Sequence, residues 1–301
     1  MSRRLDLLDA LVYADGFDCA LTLEEVRRYA RAKIGREQLR AELANDPALA
    51  GAVAQRGGLY ALADRPGLID QRPRRIARAR TLQRRGRRVA QLLRHLPFVR
   101  GLALTGSVAV DDAREGADVD LLVIAARGRL ATLFLLMAPA ARLLRGRAFC
   151  PNYYVVEGRL AMAPQSPYVA RELVQTRCLA GSTTGLRDSN PWLAMMFPNA
   201  GAGEAGLPLG GNLQRSLEKA LRGHLGDRVE RIATRVAGWR LRVHYAAAGV
   251  PVPKGAVELL DAGTSLSFHA LHAGESIVAR YSARRDQVAQ MLERQITEIS
   301  G

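Results

Sequence analysis

Gly106, Ser107, Asp118 and Asp120 fall within one short stretch, 104-LTGSVAVDDAREGADVDLLVI-124, and their types and spacing could do chemistry together. Asp118 and Asp120 stand at i and i+2, so on a strand both side chains leave the same face. Two carboxylates presented that way suit a hard divalent cation, Mg²⁺ or Mn²⁺, whose other positions go to water and substrate phosphates. Gly106 lets the backbone turn tightly and come close to a phosphate. Ser107 adds a hydroxyl and an N–H at a helix start, an arrangement that favours anions. One edge of such a pocket would hold phosphates and the other a metal. That combination points to phosphoryl or nucleotidyl transfer, with the metal neutralising charge and orienting an in-line attack. The competing reading is an acidic loop before a strand. DDAREGAD fits it, and Asp111 and Asp112 read as solvated loop residues. Asp120 does not fit it, because a lone carboxylate inside VDLLVI is costly to bury without a partner.

These elements have an order: a strand (FVRGLALT) that ends at Gly106-Ser107, a short helical or loop segment, a strand (VDLLVIA), a helix (GRLATLFLLMAPAARLLRG) and a strand (AFCPNYYVV). Strands alternating with helices predict an α/β core. RLAMA is a possible hairpin partner to the last strand, and PYVARELVQTRCLAG and NPWLAMMFPN read as helices. NAGAGEAGLPLGGN is Gly-rich and reads as a loop or linker. LQRSLEKALRGHLGDRVERIATRVAGWRLRVHYA and VAQMLERQITEIS are helical, with a loop and a helix start between them.

Ahead of the core, LDLLDALVYA has helical spacing. LTLEEVRRYARA opens with Thr22 and Glu25 at capping-box spacing, and REQLRAELAND is a third helix. VAQRGGLYALADR gives two short β-like runs around Gly57-Gly58. Three helices and a hairpin follow the order of a winged-helix module, whose recognition helix would carry Arg36, Gln38 and Arg40. Residues 65–100 hold twelve arginines against one acid, Asp70. Ile76, Leu82, Val89, Leu92 and Leu93 recur at helical spacing, so this is a long amphipathic connecting helix. Its Arg84, Arg85, Arg87 and Arg88 are candidate nucleic-acid contacts, with a solvated charged face as the alternative.

Strand, Gly-Ser, a spacer and Asp-x-Asp inside an apolar strand resemble the signature of the DNA polymerase β-like nucleotidyltransferase superfamily. The resemblance implies that Gly106 and Ser107 bind the β- and γ-phosphates of an NTP and that Asp118 and Asp120 hold Mg²⁺. A wider resemblance, to a microbial group within that superfamily, runs through the winged-helix-like N-terminus, PFVRGLALTGSVAV, CPNYYV, RELVQ, NPW…FPN and a late SFH. The superfamily usually adds a third carboxylate from a following strand, which helps activate the attacking hydroxyl. Here that strand offers Asn152, which can coordinate through its carbonyl but cannot act as a base. Glu157 sits in a predicted turn, and Glu172 in RELVQ is the other candidate. The implied catalytic set is Asp118, Asp120, Asn152 and Glu172.

The expected architecture is α/β: a polymerase β-like nucleotidyltransferase core with a mixed sheet (98–200), preceded by a winged-helix-like domain (1–64) and an Arg-rich connecting helix (65–97), and followed by a mainly helical C-terminal region (201–301). The expected activity is Mg²⁺-dependent transfer of a nucleotidyl group from an NTP. The alternative is a nucleic-acid- or nucleotide-binding regulator with an inactive core.

Bulk composition agrees with a polyanionic partner. The net charge is +15, and all but three of the 44 Lys and Arg residues are arginine. The sign of that charge is informative; the preference for Arg is also what a GC-rich genome would give. Cys19, Cys150 and Cys178 are odd in number and far apart, which argues against a disulfide framework or a Cys-based zinc site. The longest apolar run, 130-LATLFLLMAPAARLL-144, is short for a bilayer span and contains Pro139. No signal peptide is read at the N-terminus, and the expected setting is cytoplasmic, without a membrane.

Overall fold

The computed structural model describes residues 2–143, 149–247, 249, 251–252, 260, 263, 265–267 and 270–300. The N-terminal unit comprises α1 (Ser2–Asp15), β1 (Leu21–Thr22), α2 (Leu23–Tyr29), α3 (Arg36–Asn45), α4 (Pro47–Ala52), β2 (Val53–Arg56) and β3 (Leu59–Leu62). Its strands form an antiparallel sheet in the order β1-β3-β2. The capping box forms: Glu25 N–H donates to Thr22 Oγ1 at 3.3 Å, and Thr22 N–H donates to the Glu25 carboxylate at 2.7 Å. On α3, Gln38 donates to Glu42 at 2.9 Å and Arg40 pairs with Glu37, so two of the three polar residues expected to face a groove are engaged along their own helix.

α5 (Leu68–Leu93) leads into the core. There follow β4 (Val99–Leu104), α6 (Gly106–Ala109), β5 (Val119–Ala125), α7 (Leu130–Leu143), β6 (Phe149–Val156), α8 (Pro167–Gln175) and β7 (Arg177–Gly181). The C-terminal part holds α9 (Thr184–Asp188), α10 (Trp192–Met196), α11 (Asn212–Ala220), α12 (Gly223–Ala247), β8 (Ser265–Ser267) and α13 (Ala270–Ser300). Five strands form one mixed sheet in the order β7-β4-β5-β6-β8. β5 and β6 are parallel, and the other neighbours are antiparallel. The protein is therefore α/β with a mixed sheet.

VDLLVIA is apolar without alternation because both faces of its sheet are covered. Leu122 and Ile124 join Ala103 and Val155 in a core shared with the N-terminal unit, α8 and α13. Leu121 and Val123 join Leu102, Leu104 and Tyr154 in a second core under α5, α7 and α12. The N-terminal unit thus shares one apolar core with a face of the main sheet. The apolar run of α7 is buried in the second core, and no helix among the described residues is long and apolar enough to cross a membrane.

Three local expectations are corrected. The helix expected over PYVARELVQTRCLAG stops at Gln175, and RCLAG is β7. Thr176 is extended (φ −57°, ψ 137°), and the backbone beyond it satisfies its hydrogen bonds on the open edge of β4. RLAMA contributes only an isolated bridge, Val156 to Arg159. Ser265–Ser267, expected within a loop, forms an edge strand on β6. Phe268 and His269 of the SFH segment lie outside the described residues.

The DDAREG loop is also corrected. Asp112 is only 4% exposed and is paired with Arg72 and Arg75 at 3.3 Å each. Asp111, in the left-handed region at φ +57°, accepts from Gln83 at 2.8 Å and pairs with Arg177 at 2.6 Å. These aspartates fasten the loop to α5 and β7. Arg72 and Arg75 belong to that fastening and not to a solvated face, whereas Arg84, Arg85, Arg87 and Arg88 are exposed. Between the exposed arginines, Gly86 lets α5 press against the core: a Cβ there would meet Leu104 Cδ2 at 3.1 Å and Val119 Cγ1 at 3.4 Å.

Candidate active site

Antiparallel pairing brings the exit of β4 beside the entry of β5. Leu104 is in register with Leu121, and Thr105 N–H donates to the Asp120 carbonyl at 3.0 Å. Gly106-Ser107 therefore lies alongside Asp118-Val119-Asp120. Asp118 precedes β5 and is exposed; Asp120 is half-buried inside it. Asp120 shares its sheet face with Leu122 and Ile124, which is the face covered by α8 and the N-terminal unit.

Gly106 is required twice over. Its φ of +64° lies in the left-handed region, and a Cβ there would stand 2.6 Å from Asp120 Oδ2. Gly106→Ala is expected to destabilise the fold by about 1–3 kcal/mol and to push the Asp120 carboxylate away. Urea denaturation checks the first effect, and titration with Mg²⁺ and an NTP analogue checks the second. A variant of wild-type stability would mean that the carboxylate is not wedged against the glycine.

α8 brings a further carboxylate, Glu172, up to Gly106. It starts cleanly, with Ser166 accepting from Val169 N–H at 3.2 Å and Pro167 in its first turn. Tyr168, Glu172 and Gln175 lie at i, i+4 and i+7, on one face of the helix. Gln175 Nε2 donates to Glu172 Oε1 at 2.7 Å, and the Gly106 N–H lies near enough to the same carboxylate to favour its charged form. The N-terminal unit holds α8 in place: Arg171 stacks 3.4 Å from the centre of the Tyr29 ring, and Arg28 donates to Val174 O at 2.9 Å.

The electrostatics follow from crowding anions in a poorly hydrated space. Burial, with help from Asp118, pushes Asp120 up to about 6. Burial and then Asp120 push Glu172 up to about 7, against the Gly106 N–H and Arg171, which hold it down. Cys150 stands in register with Asp120 on the parallel strand, and burial followed by the two aspartates raises its thiol to about 11. Tyr168 is raised by burial, then by Glu172 and Asp120.

No family model, curated protein or solved structure matches the chain.

The fold thus brings Gly106, Ser107, Asp118, Asp120 and Glu172 to one end of the sheet. Asn152 falls where the β5–β6 register shifts, between Pro151 opposite Leu121 and Tyr153 opposite Leu122; its side chain lies outside the described residues. Glu157 pairs with Arg100, whose other partner is Glu218, away from Asp120. Sequence reasoning missed Cys150, Tyr168 and Gln175. The i, i+4, i+7 spacing in PYVARELVQ was the available signal for the last two, whereas Cys150 needed the strand order. Among the described residues no three His, Cys, Asp or Glu side chains gather closely enough to hold a metal ion by themselves. Asp118 and Asp120 supply two carboxylates, the number Mg²⁺ commonly takes from a protein when phosphates complete its shell.

Proposed function

We propose that the protein transfers a nucleotidyl group from an NTP to a hydroxyl- or phosphate-bearing acceptor, with Mg²⁺ or Mn²⁺. The observation that carries this reading is the meeting of the Gly106 turn, the Asp118/Asp120 pair and Glu172 at one sheet end. The strand order supports it: Gly-Ser follows β4, Asp-x-Asp enters antiparallel β5, and β6 runs parallel to β5. That order agrees with the resemblance to polymerase β-like nucleotidyltransferases. Apart from an added short helix, α4, before the hairpin, the order α1, β1, α2, α3 and β2–β3 agrees with a winged-helix-like N-terminal unit.

When bound, the ion would neutralise triphosphate charge and polarise the reacting phosphorus. Asp118 and Asp120 would hold it. Gly106 leaves the backbone bare for a phosphate, and the Ser107 hydroxyl would donate to one. The acceptor oxygen would attack the α-phosphorus, forming the new O–P bond as the bond to pyrophosphate breaks. Glu172, whose affinity for a proton is matched to neutral pH, would take the acceptor's proton.

The test is incubation with Mg²⁺, each α-labelled NTP and a panel of small-molecule, protein and nucleic-acid 3′-end acceptors. Wild type is expected to release pyrophosphate and label an acceptor, and the Asp118→Ala/Asp120→Ala variant to do neither. If the two behave alike across the panel, transfer fails as a reading. The second reading then takes its place: binding of nucleotide or nucleic acid without turnover, favoured by the exposed Arg84, Arg85, Arg87 and Arg88 on α5.

A further inference from the structure

Seven of the ten large apolar side chains found exposed among the described residues fall between Leu213 and Val243. Five lie on α12: Leu225, Ile232, Val236, Trp239 and Val243, with Trp239 61% exposed. At 3.6 residues per turn they fall within an arc of about 60° and run for about 27 Å along the helix. The opposite face of α12 is committed: Ala233, Ala237, Leu241 and Tyr245 are buried in the core beneath α7. Leu225, Ile232 and Trp239 are spaced by seven, as are Val236 and Val243. Beside the stripe, on one flank, Arg228, Arg235 and Arg242 are also spaced by seven, and all three are exposed. No ion pair to these arginines is found among the described residues. Both acids of α12 are turned toward α7: Asp227 pairs with Arg129, and Glu230 accepts from Ala131 N–H and Thr132 N–H.

We propose that this face of α12 docks an acidic amphipathic helix of a partner protein. Three features select that occupant. The stripe is narrow, the width of a coiled-coil seam, whereas a helix lying in a lipid interface uses a broader apolar face. The seven-residue repeat matches a helix laid alongside it. The flanking arginines and the lack of acids call for carboxylates on the partner. A second copy of this face fits poorly: α12 has no acid beside the stripe to meet the arginines, and two-fold antiparallel pairing would also set both arginine rows on the same side of the seam. This inference stands apart from the transfer site, and its failure would leave that reading untouched.

The probe is a synthetic heptad helix long enough to cover the stripe, with Leu at its seam positions and Glu on both flanks. A second peptide carries Lys in place of Glu. Trp239 emission reports docking in a Trp192→Phe background. The Glu peptide is expected to bind with a blue shift and to weaken with salt, and the Lys peptide not to bind. Ile232→Glu should weaken the Glu peptide by about tenfold or more. Arg235→Glu/Arg242→Glu should lose the Glu peptide and gain the Lys peptide, a reversal that an unfolded variant could not give. The proposal is overturned if neither peptide binds, if both bind equally, or if Arg235→Glu/Arg242→Glu leaves the preference unchanged. It is also overturned if the stripe captures phosphatidylserine vesicles but not the Glu peptide. Self-association abolished by Ile232→Glu, without Glu-peptide binding, overturns it in favour of a second copy.

Discussion

Asp120→Asn is expected to cut nucleotidyl transfer by about 10³-fold or more while making the metal-free protein more stable at pH 8. The two effects share one cause. Asp120 is half-buried against Gly106, with Asp118 and Glu172 as anionic neighbours. Burial and these neighbours make a carboxylate there costly to ionise, and a bound cation would offset that cost. The sign of the pH dependence follows. Folding raises Asp120 from 3.8 to about 6 and Glu172 from 4.5 to about 7. A raised carboxylate binds its proton more tightly in the folded state, so its favourable contribution is complete below the unfolded value. That contribution is lost as pH rises through the folded value. Wild-type stability should therefore fall between about pH 4 and pH 7, by on the order of 3 kcal/mol for each of the two groups, each shifted by about two units. Asn at 120 carries no charge and relieves its neighbour, so the fall should be shallower. Thermal unfolding at pH 5 and pH 8, with and without Mg²⁺, reads both effects. Mg²⁺ should raise the wild-type Tm at pH 8 and leave the variant where it is. An Asn variant less stable than wild type at pH 8 would make Asp120 a structural carboxylate and remove this account.

The parts of the site that depend on neighbours in the chain could be read from sequence. A strand period of two predicts Asp118 and Asp120 as neighbours; Asp118 stands just before β5 and is near enough to raise Asp120, and Gly-Ser after an apolar run marks the turn beside them. The α/β character was legible for the same reason, because alternating strands and helices leave a local pattern. What sequence could not show was set by contacts between distant segments. Glu172 was only a candidate, since nothing in RELVQ says that α8 will lay it against Gly106. Cys150 needed the fact that β6 lies parallel to β5 and in that register, and the same register shift separates Asn152 from simple strand counting. RCLAG and Ser265–Ser267 are too short to announce themselves as strands; the unsatisfied edges of β4 and β6 recruit them. Charge was the least legible. DDAREG and the arginines of α5 have the composition of solvated surface, and only the burial of Asp112 with Arg72 and Arg75 shows that part of them is not.

Arg72→Met is expected to be the most destabilising single change, at about 3–5 kcal/mol. Arg72 is 1% exposed and joins three segments. One guanidinium nitrogen donates to Glu25 at 2.6 Å and to Val110 O at 3.0 Å; the other meets Asp112 at 3.3 Å and Cys19 Sγ at 3.1 Å. Glu25 is also the carboxylate of the α2 capping box, so the same network fixes the start of that helix. Removing the guanidinium leaves Glu25 and Asp112 facing each other in a space that excludes water, with Arg75 alone to offset Asp112. The cost comes mainly from those stranded carboxylates, because a buried ion pair contributes little beyond its own desolvation. Neutralising both, as Arg72→Met/Glu25→Gln/Asp112→Asn, should therefore recover much of the loss. Arg72→Lys should recover little, because an ammonium cannot reproduce the planar fork that reaches both acids. Urea denaturation of the three variants decides the matter, and a loss under about 1 kcal/mol for Arg72→Met would show that the network is not buried as described. The loop that Arg72 anchors at Val110 and Asp112 runs directly into Asp118. Arg72→Met should therefore weaken Mg²⁺-dependent NTP binding even at temperatures where the variant is fully folded, and the triple variant, lacking the same anchor, should not regain it. A stability defect that is repaired while the binding defect persists would separate this arginine's part in holding the fold from its part in positioning the aspartates.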